Sequence, residues 1–188
     1  MDYVITLVSE MRMQLLYLLG GDTSLLGKFY KAAKKMTDHL LGTVLHKRHL
    51  MFDGLVSFYL ASQNTKHRGR WLRRGKAAKK QVDKWVKEGD VNSTHVASLL
   101  AAELSYVSGK HVVAIELYQK AIDIAVKNGY RQDCALAYER SALNFLEMND
   151  EAKACSHLTK SYKAYLKWGA IAKADHMIKV YGYRIETS

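Results

Sequence analysis

The chain has 188 residues, of which 48% are hydrophobic and none is proline. The hydrophobic content excludes a disordered chain, and the absence of proline favours long helices that are joined by short glycine turns. The net charge of +11 is uneven, because residues 66–88 carry 10 basic and 2 acidic side chains. The search for a charged partner therefore starts at this one segment.

No segment has the length and apolarity of a membrane span, since Asp2, Glu10 and Arg12 interrupt the first predicted helix. The same segment lacks the basic start of a secretory signal. The two cysteines, Cys134 and Cys155, fall inside predicted helices and indicate neither a disulfide nor a metal framework. We therefore expect a cytoplasmic protein with reduced cysteines.

Helical spacing of the apolar residues predicts four pairs of helices and a ninth helix that covers the end of the stack. The predicted pairs cover about 3–42, 43–89, 91–129 and 130–169, and the capping helix covers 170–181. We expect residues 1–182 to form a single helical-repeat domain and residues 183–188 to fray.

The first two predicted helices each have a clear apolar side. In the first helix, we expect the core-facing residues to be Val4, Leu7, Met11, Leu15 and Leu18. In the second helix, the apolar side carries Leu26, Phe29, Tyr30, Ala33, Met36 and Leu40. The opposite side of that second helix carries Lys28, Lys31, Lys34 and Lys35.

The sequence also repeats itself. A shift of 40 residues aligns the helix–turn–helix unit before residue 129 with the unit after it, without a gap. A fixed period with recurring glycines is typical of a repeat array, in which each unit buries its apolar face against its neighbours. The residues that mark this period are Gly69, Gly89, Gly109, Gly129, Asn149 and Gly169.

Within the repeat, small residues flank a tyrosine at a recognisable spacing, in the order Gly109, Ala114, Tyr118, Ala121. This pattern resembles the tetratricopeptide repeat. The resemblance implies an all-α fold, a right-handed superhelix of antiparallel helix pairs, in which helices approach closely at small residues. The period of 40 residues and the missing terminal proline depart from the family, and longer helices account for both. The expected close approaches are at Ala102, Ala114, Ala121 and Ala142.

A narrower resemblance covers residues 85–181, and its most specific feature is the run from Tyr165 to Lys173. Other residues that carry it are Trp85, Asn92, His95, Ala102, Glu103, Gly109, Tyr118, Gly129, Gln132, Glu139 and Phe145. This segment resembles the helical-repeat regions of large multidomain signalling ATPases. The chain contains neither the phosphate-binding loop nor the kinase motifs of such proteins. The resemblance therefore implies a non-enzymatic scaffold that docks partners or restrains neighbouring domains.

A metal site is the first chemical hypothesis, because His46, His49 and Asp53 could lie on one helix face. However, His49 falls on the apolar stripe of its helix, and no fourth ligand is evident. A partly buried, hydrogen-bonded histidine is the better interpretation, and we expect neither a metal nor a cofactor. Neither cysteine has a histidine base in a recognisable motif, so we expect no thiol catalysis.

A partner groove is the second hypothesis. In tetratricopeptide arrays the first helix of each pair lines a concave groove, and carboxylates there can hold basic peptides. By this resemblance the groove would be lined by Leu99, Glu103, Tyr106, Glu139, Leu143 and Leu146. The alternative, which we weigh equally, is that Glu103 and Glu139 pair internally with residues such as Arg140 or Arg131.

A basic face is the third hypothesis. Residues 66–88 present a row of cations beside an apolar seam that contains Trp71 and Trp85. A solvated outer face is the first interpretation, an acidic protein surface the second and nucleic acid the third, because tryptophans in the core cannot also stack on bases. We therefore expect a protein or peptide partner, with polyanion binding as the alternative function. The row consists of Arg73, Lys76, Lys80, Lys84 and Lys87.

Overall fold

The computed structural model describes residues 2–33, 44–63 and 66–187, and within these ranges every regular element is a helix. The all-α prediction is confirmed for this part of the chain. The helices are α1 Asp2–Leu18, α2 Thr23–Ala33, α3 Val44–Gln63, α4 Arg68–Lys87, α5 Thr94–Val107, α6 His111–Lys127, α7 Arg131–Glu147, α8 Glu151–Trp168 and α9 Ile171–Tyr181, with short 3₁₀ helices at Val91–Ser93 and Gly182–Arg184. The predicted boundary at residues 42 and 43 lies outside the described residues, as do Lys34, Lys35, Met36 and Leu40.

Helix contacts divide the chain into two compact units, residues 1–93 and 94–188. In the first unit, α1 packs along α2, α3 packs along α4, and both α1 and α2 also touch α3. In the second unit, each helix from α5 to α9 packs against the next, and α5 also touches α7. Short turns between packed neighbours make them antiparallel. The expectations of one continuous domain and of a right-handed superhelix stay predictions.

The predicted period of turns is visible in the backbone. A left-handed residue follows a helix every 20 residues, at Gly89, Gly109, Gly129, Asn149 and Gly169. After each of them, the next N–H donates to the carbonyl five residues earlier, as Asp150 does to Phe145, which satisfies an end carbonyl of the helix. Asparagine tolerates the left-handed region better than most residues, so Asn149 can replace the glycine. Gly69 shares the period but lies inside α4.

The small residues of the second unit lie where helices approach each other. Ala102, Ala114 and Ala142 have no exposed surface, and Ala121 is 1% exposed. Tyr118 is completely buried beside them and fills the space between neighbouring helices. Because interiors are packed at the density of organic crystals, none of these sites has room for a larger side chain.

The first helix is turned opposite to its sequence prediction. Val4, Met11 and Leu15 were expected in the core, but they are 63%, 57% and 54% exposed. The side of α1 that faces inward carries Glu10 and Met13, which are 4% and 1% exposed. The prediction is therefore wrong for these three residues, because a buried ion pair of Glu10 holds the polar side of α1 against the protein.

The end of the chain is packed through residue 186 rather than frayed from residue 183. Ile185 is buried, and the Glu186 N–H donates to the Thr159 hydroxyl at 3.0 Å. Arg184 also pairs with Glu151 at the start of α8. These contacts tie the segment after α9 back onto α8, so residues 183–186 belong to the second unit.

The close approach at Ala121 gives a direct test of the packing. Replacing Ala121 by Leu should overpack the contact and lower the free energy of unfolding by about 1–3 kcal/mol. Ala152→Leu is the matched control, since Ala152 is exposed on α8 and has room for the longer side chain. Chemical denaturation followed by circular dichroism measures both, and an unchanged midpoint for Ala121→Leu would contradict the packing.

Candidate functional site

A buried carboxylate connects three helices of the second unit. Glu103 on α5 is 1% exposed and accepts two hydrogen bonds from the Arg140 guanidinium on α7, at 2.7 and 3.0 Å. It also accepts from the Tyr118 hydroxyl on α6 at 2.6 Å. A buried charge is tolerated only when it is paired and hydrogen-bonded, and Glu103 satisfies both conditions.

The same arrangement recurs one helix pair later. Glu139 on α7 accepts from the Lys173 ammonium on α9 at 2.6 Å and from the Tyr165 hydroxyl on α8 at 3.2 Å. Each glutamate therefore takes a tyrosine from the next helix and a cation from the helix after that. Glu139, Lys173 and Tyr165 are all buried. The repeat of the sequence thus produces a repeat of buried ion pairs.

The first unit contains a related network. Glu10 on α1 lies 2.9 Å from Nδ1 of His49 on α3, and both side chains are buried. Burial by itself would lower the pKa of His49, but the hydrogen bond to Glu10 and the charges of Glu10 and Asp53 raise it overall. Asp53 accepts a hydrogen bond from the Tyr30 hydroxyl. Burial raises the pKa of the Asp53 carboxyl despite that bond.

The three residues of the predicted metal site each contact a different partner. His49 faces Glu10, Asp53 faces Tyr30, and the ring of His46 lies edge-on to Trp85 with centroids 5.2 Å apart. Burial lowers the pKa of His46, and the nearby charge of His49 lowers it further. In the part of the chain that the structure describes, no three histidine, cysteine or carboxylate side chains are grouped to hold a metal.

The residues of the predicted groove differ in how much of their surface is exposed. Leu99 and Glu103 are each 1% exposed and offer no surface to a partner in this conformation, and Glu139 is buried as well. Tyr106, Leu143 and Leu146 are half-buried. Both glutamates pair internally, with Arg140 and Lys173 as the cations. That this face forms a partner groove stays a prediction.

The predicted basic face lies on the solvent side of α4. Its five residues, Arg73, Lys76, Lys80, Lys84 and Lys87, are all exposed. Trp71 is 8% exposed, and Trp85 is half-buried against His46. The two tryptophans therefore belong to the packing seam, as their spacing predicts, and the row is left with charge alone.

Two clefts were not anticipated. One of about 330 Å³ lies beside the start of α7, and its lining includes Arg131, Cys134 and Lys167. Burial and the nearby Asp133 raise the pKa of the Cys134 thiol to about 11. This thiol therefore stays protonated near neutral pH and is a poor nucleophile.

The other cleft, of about 310 Å³, lies in the first unit between α2 and α4 and is lined by basic side chains. Lys28 and Lys31 belong to the predicted polar side of α2, and Arg70 belongs to the basic segment 66–88. The sequence contains no signal that they meet, because the whole of α3 separates them along the chain.

Comparison with known proteins does not add a family to this description. No family model, curated protein or solved structure was found to match the chain. Among the described residues, no helix is both long and apolar enough to cross a membrane.

The buried pair of Glu103 and Arg140 predicts a large loss of stability. Replacing Glu103 by Gln removes the carboxylate charge that pairs with the buried Arg140 guanidinium. The free energy of unfolding should fall by about 3–5 kcal/mol. Glu116→Gln, at an exposed position on α6, should change it by less than about 0.5 kcal/mol. Urea denaturation of the two variants measures the difference, and equal midpoints would contradict the role of the pair.

His157 predicts how stability depends on pH. Its ring lies against Tyr138 and Phe145, with centroids 5.3 and 5.1 Å away. Burial, and then the charge of Lys160, lower its pKa from 6.5 to about 4. Between these two values the unfolded chain binds a proton that the folded chain does not, so stability should fall as the pH decreases through this window.

The measurement is a series of urea midpoints between about pH 7 and pH 4 for the wild type and for His157→Gln. We expect the midpoint to fall less steeply with decreasing pH in the variant, because its side chain does not titrate. Parallel curves for the two proteins would show that His157 does not carry the effect.

Proposed function

We propose that this chain is a non-enzymatic scaffold for protein–protein interaction, and that α1 docks an amphipathic helix of the partner. The observation that carries the proposal is the apolar stripe of α1. Val4, Val8, Met11 and Leu15 recur four, three and four residues apart and are 63%, 39%, 57% and 54% exposed. Contiguous apolar surface of this kind is typical of interaction sites.

The stripe cannot turn inward at small cost, because the opposite side of α1 is already engaged. Glu10 pairs with His49, and the ring of Tyr17 lies edge-on to Phe52 and Tyr59. Rotating α1 would turn Glu10 toward solvent and break its pairing with His49, which is buried on α3. Breaking such a pair costs about 3–5 kcal/mol. The stripe therefore stays available while the first unit remains folded.

The geometry of the stripe favours a helix as its occupant. Spacings of four and three residues are those of the apolar seam between two coiled helices. From Val4 to Leu15 the seam extends over about 17 Å, which is three turns of a helix. A partner helix with its own apolar seam would cover these side chains. The resemblance to the repeat regions of signalling ATPases supports the same type of function, since those regions dock partners or restrain neighbouring domains.

Polyanion binding through α4 is the second candidate. The observation that favours it is that all five cations of the basic face are exposed. Against it stands the placement of Trp71 and Trp85 in the packing seam, since stacking on bases contributes much of the affinity for single strands. Charge alone would produce weak binding that falls steeply as salt rises. We therefore rank this candidate below the scaffold.

The test of the scaffold compares two variants that each replace three exposed apolar residues by glutamine. The stripe variant carries Val4→Gln, Met11→Gln and Leu15→Gln. The control carries Val112→Gln, Val126→Gln and Ile171→Gln, whose side chains are 64%, 61% and 54% exposed on other helices. A partner captured by the wild type is identified, purified and titrated against all three proteins.

We expect the stripe variant to lose at least about tenfold in affinity, because central apolar anchors each contribute more than about 1 kcal/mol. The control should bind as the wild type does. Equal affinity of wild type and stripe variant would refute docking on α1. Sedimentation provides a second outcome. If the wild type and the control are dimers and the stripe variant is a monomer, the occupant of the stripe is a second copy of this chain.

A further inference from the structure

The cleft between α2 and α4 brings several positively charged side chains together. Its lining includes Lys28 and Lys31 from α2, Arg70 from α4 and His67 from the turn before α4. Lys28, Lys31 and Arg70 are all exposed. Among the described residues, no carboxylate lines the cleft. Like charges that converge in this way repel each other, and a bound anion would relieve the repulsion.

Some other cations of the first unit have acidic partners. Lys47 pairs with Asp90 at 2.5 Å, and Lys79 pairs with Asp83 at 2.6 Å. Within the described ranges, neither Lys28, Lys31 nor Arg70 has a carboxylate within 4.0 Å. Asp22 precedes α2, but its carboxylate accepts from the Leu25 N–H at 2.7 Å and caps the helix.

The donors of the cleft suit phosphate oxygens. The Arg70 guanidinium presents a planar fork of donors, while lysines contribute compact charges. The hydroxyls of Thr23 and Ser24 add neutral donors at the start of α2. A volume of about 310 Å³ lies at the small end of ligand pockets. Three cationic side chains match a ligand with several negative charges better than a ligand with a single carboxylate or sulfate.

The aromatic residue of the cleft, Trp71, indicates which part of a ligand could be recognised. Trp71 lines the cleft but is only 8% exposed. Its ring lies edge-on to Tyr30 at 5.1 Å, and the Arg74 guanidinium lies over it at 5.5 Å. With so little of its surface exposed, the indole offers a base little area for stacking. Recognition in this cleft would therefore depend on the phosphates.

We propose that the cleft between α2 and α4 is a binding site for a short polyphosphate chain, held by Lys28, Lys31 and Arg70. Both free tripolyphosphate and a nucleoside triphosphate carry such a chain. The site is separate from the exposed row of α4, and it is independent of the docking stripe on α1.

The experiment is a calorimetric titration of the full chain at about 0.15 M salt, where diffuse surface charge is screened. The ligands are tripolyphosphate, ATP, orthophosphate and a random DNA duplex. The cleft variant is Lys28→Gln, Lys31→Gln and Arg70→Gln. The matched control is Arg73→Gln, Lys76→Gln and Lys80→Gln, which removes the same charge and the same side-chain types from exposed positions on α4.

We expect saturable binding of tripolyphosphate at one site, weaker binding of orthophosphate, and a loss of at least about tenfold in the cleft variant only. If ATP binds as tightly as tripolyphosphate, the chain of phosphates is the ligand group. Tighter binding of ATP would identify a nucleotide as the source. Arg70→Lys keeps the charge but not the planar fork, so it should weaken binding without abolishing it, and it serves if the triple variant does not fold.

Three results would overturn the proposal. The first is that tripolyphosphate does not saturate the wild type. The second is that the cleft variant and the control lose affinity equally, which would mean that only net charge matters. The third is that the duplex binds more tightly than tripolyphosphate and loses affinity only in the control, which would assign anion binding to the exposed row of α4.

Discussion

The buried pairing of a carboxylate with a cation two helices further along is the interaction on which the rest of this structure depends. It occurs at Glu103–Arg140 and at Glu139–Lys173, with sequence separations of 37 and 34 residues. The first unit has a related pair 39 residues apart, Glu10–His49, in which the histidine is a cation when it is protonated. A desolvated carboxylate is tolerated only beside its partner, so each pair permits one register of its helices. Burial of alanines and leucines is less directional, so by itself it would tolerate several registers of the helices.

The orientation of α1 is a consequence of the same constraint. Ordinary amphipathic packing would bury the apolar stripe of this helix and expose Glu10. The Glu10–His49 pair instead holds the Glu10 side of α1 inward, where Met13 and Tyr17 also lie. The apolar surface that results is the reason to regard the chain as a scaffold. The site proposed for docking and the network that stabilises the first unit are two sides of one helix.

Buried carboxylates and exposed cations occur in different parts of the chain. Two buried carboxylates of the second unit, Glu103 and Glu139, are held in internal ion pairs. The excess of cations lies on α2 and α4, where they line a cleft and cover an exposed face. An acidic groove for basic peptides, which the resemblance to tetratricopeptide arrays suggests, would need carboxylates that this fold has already neutralised.

Local features of this protein were determined by the sequence alone. Helix periodicity, left-handed turns at positions such as Gly109 and Gly129, and buried small residues such as Ala121 follow from backbone geometry and short-range packing, which a single sequence records. The partner of Glu103, the outward stripe of α1 and the meeting of Lys28 with Arg70 were decided by the tertiary structure. These features join residues more than 30 positions apart, as the Glu103–Arg140 separation of 37 shows. Spacing along the chain shows which side chains share a helix face, but the energy of a buried charge depends on what another helix brings within 3 Å of it.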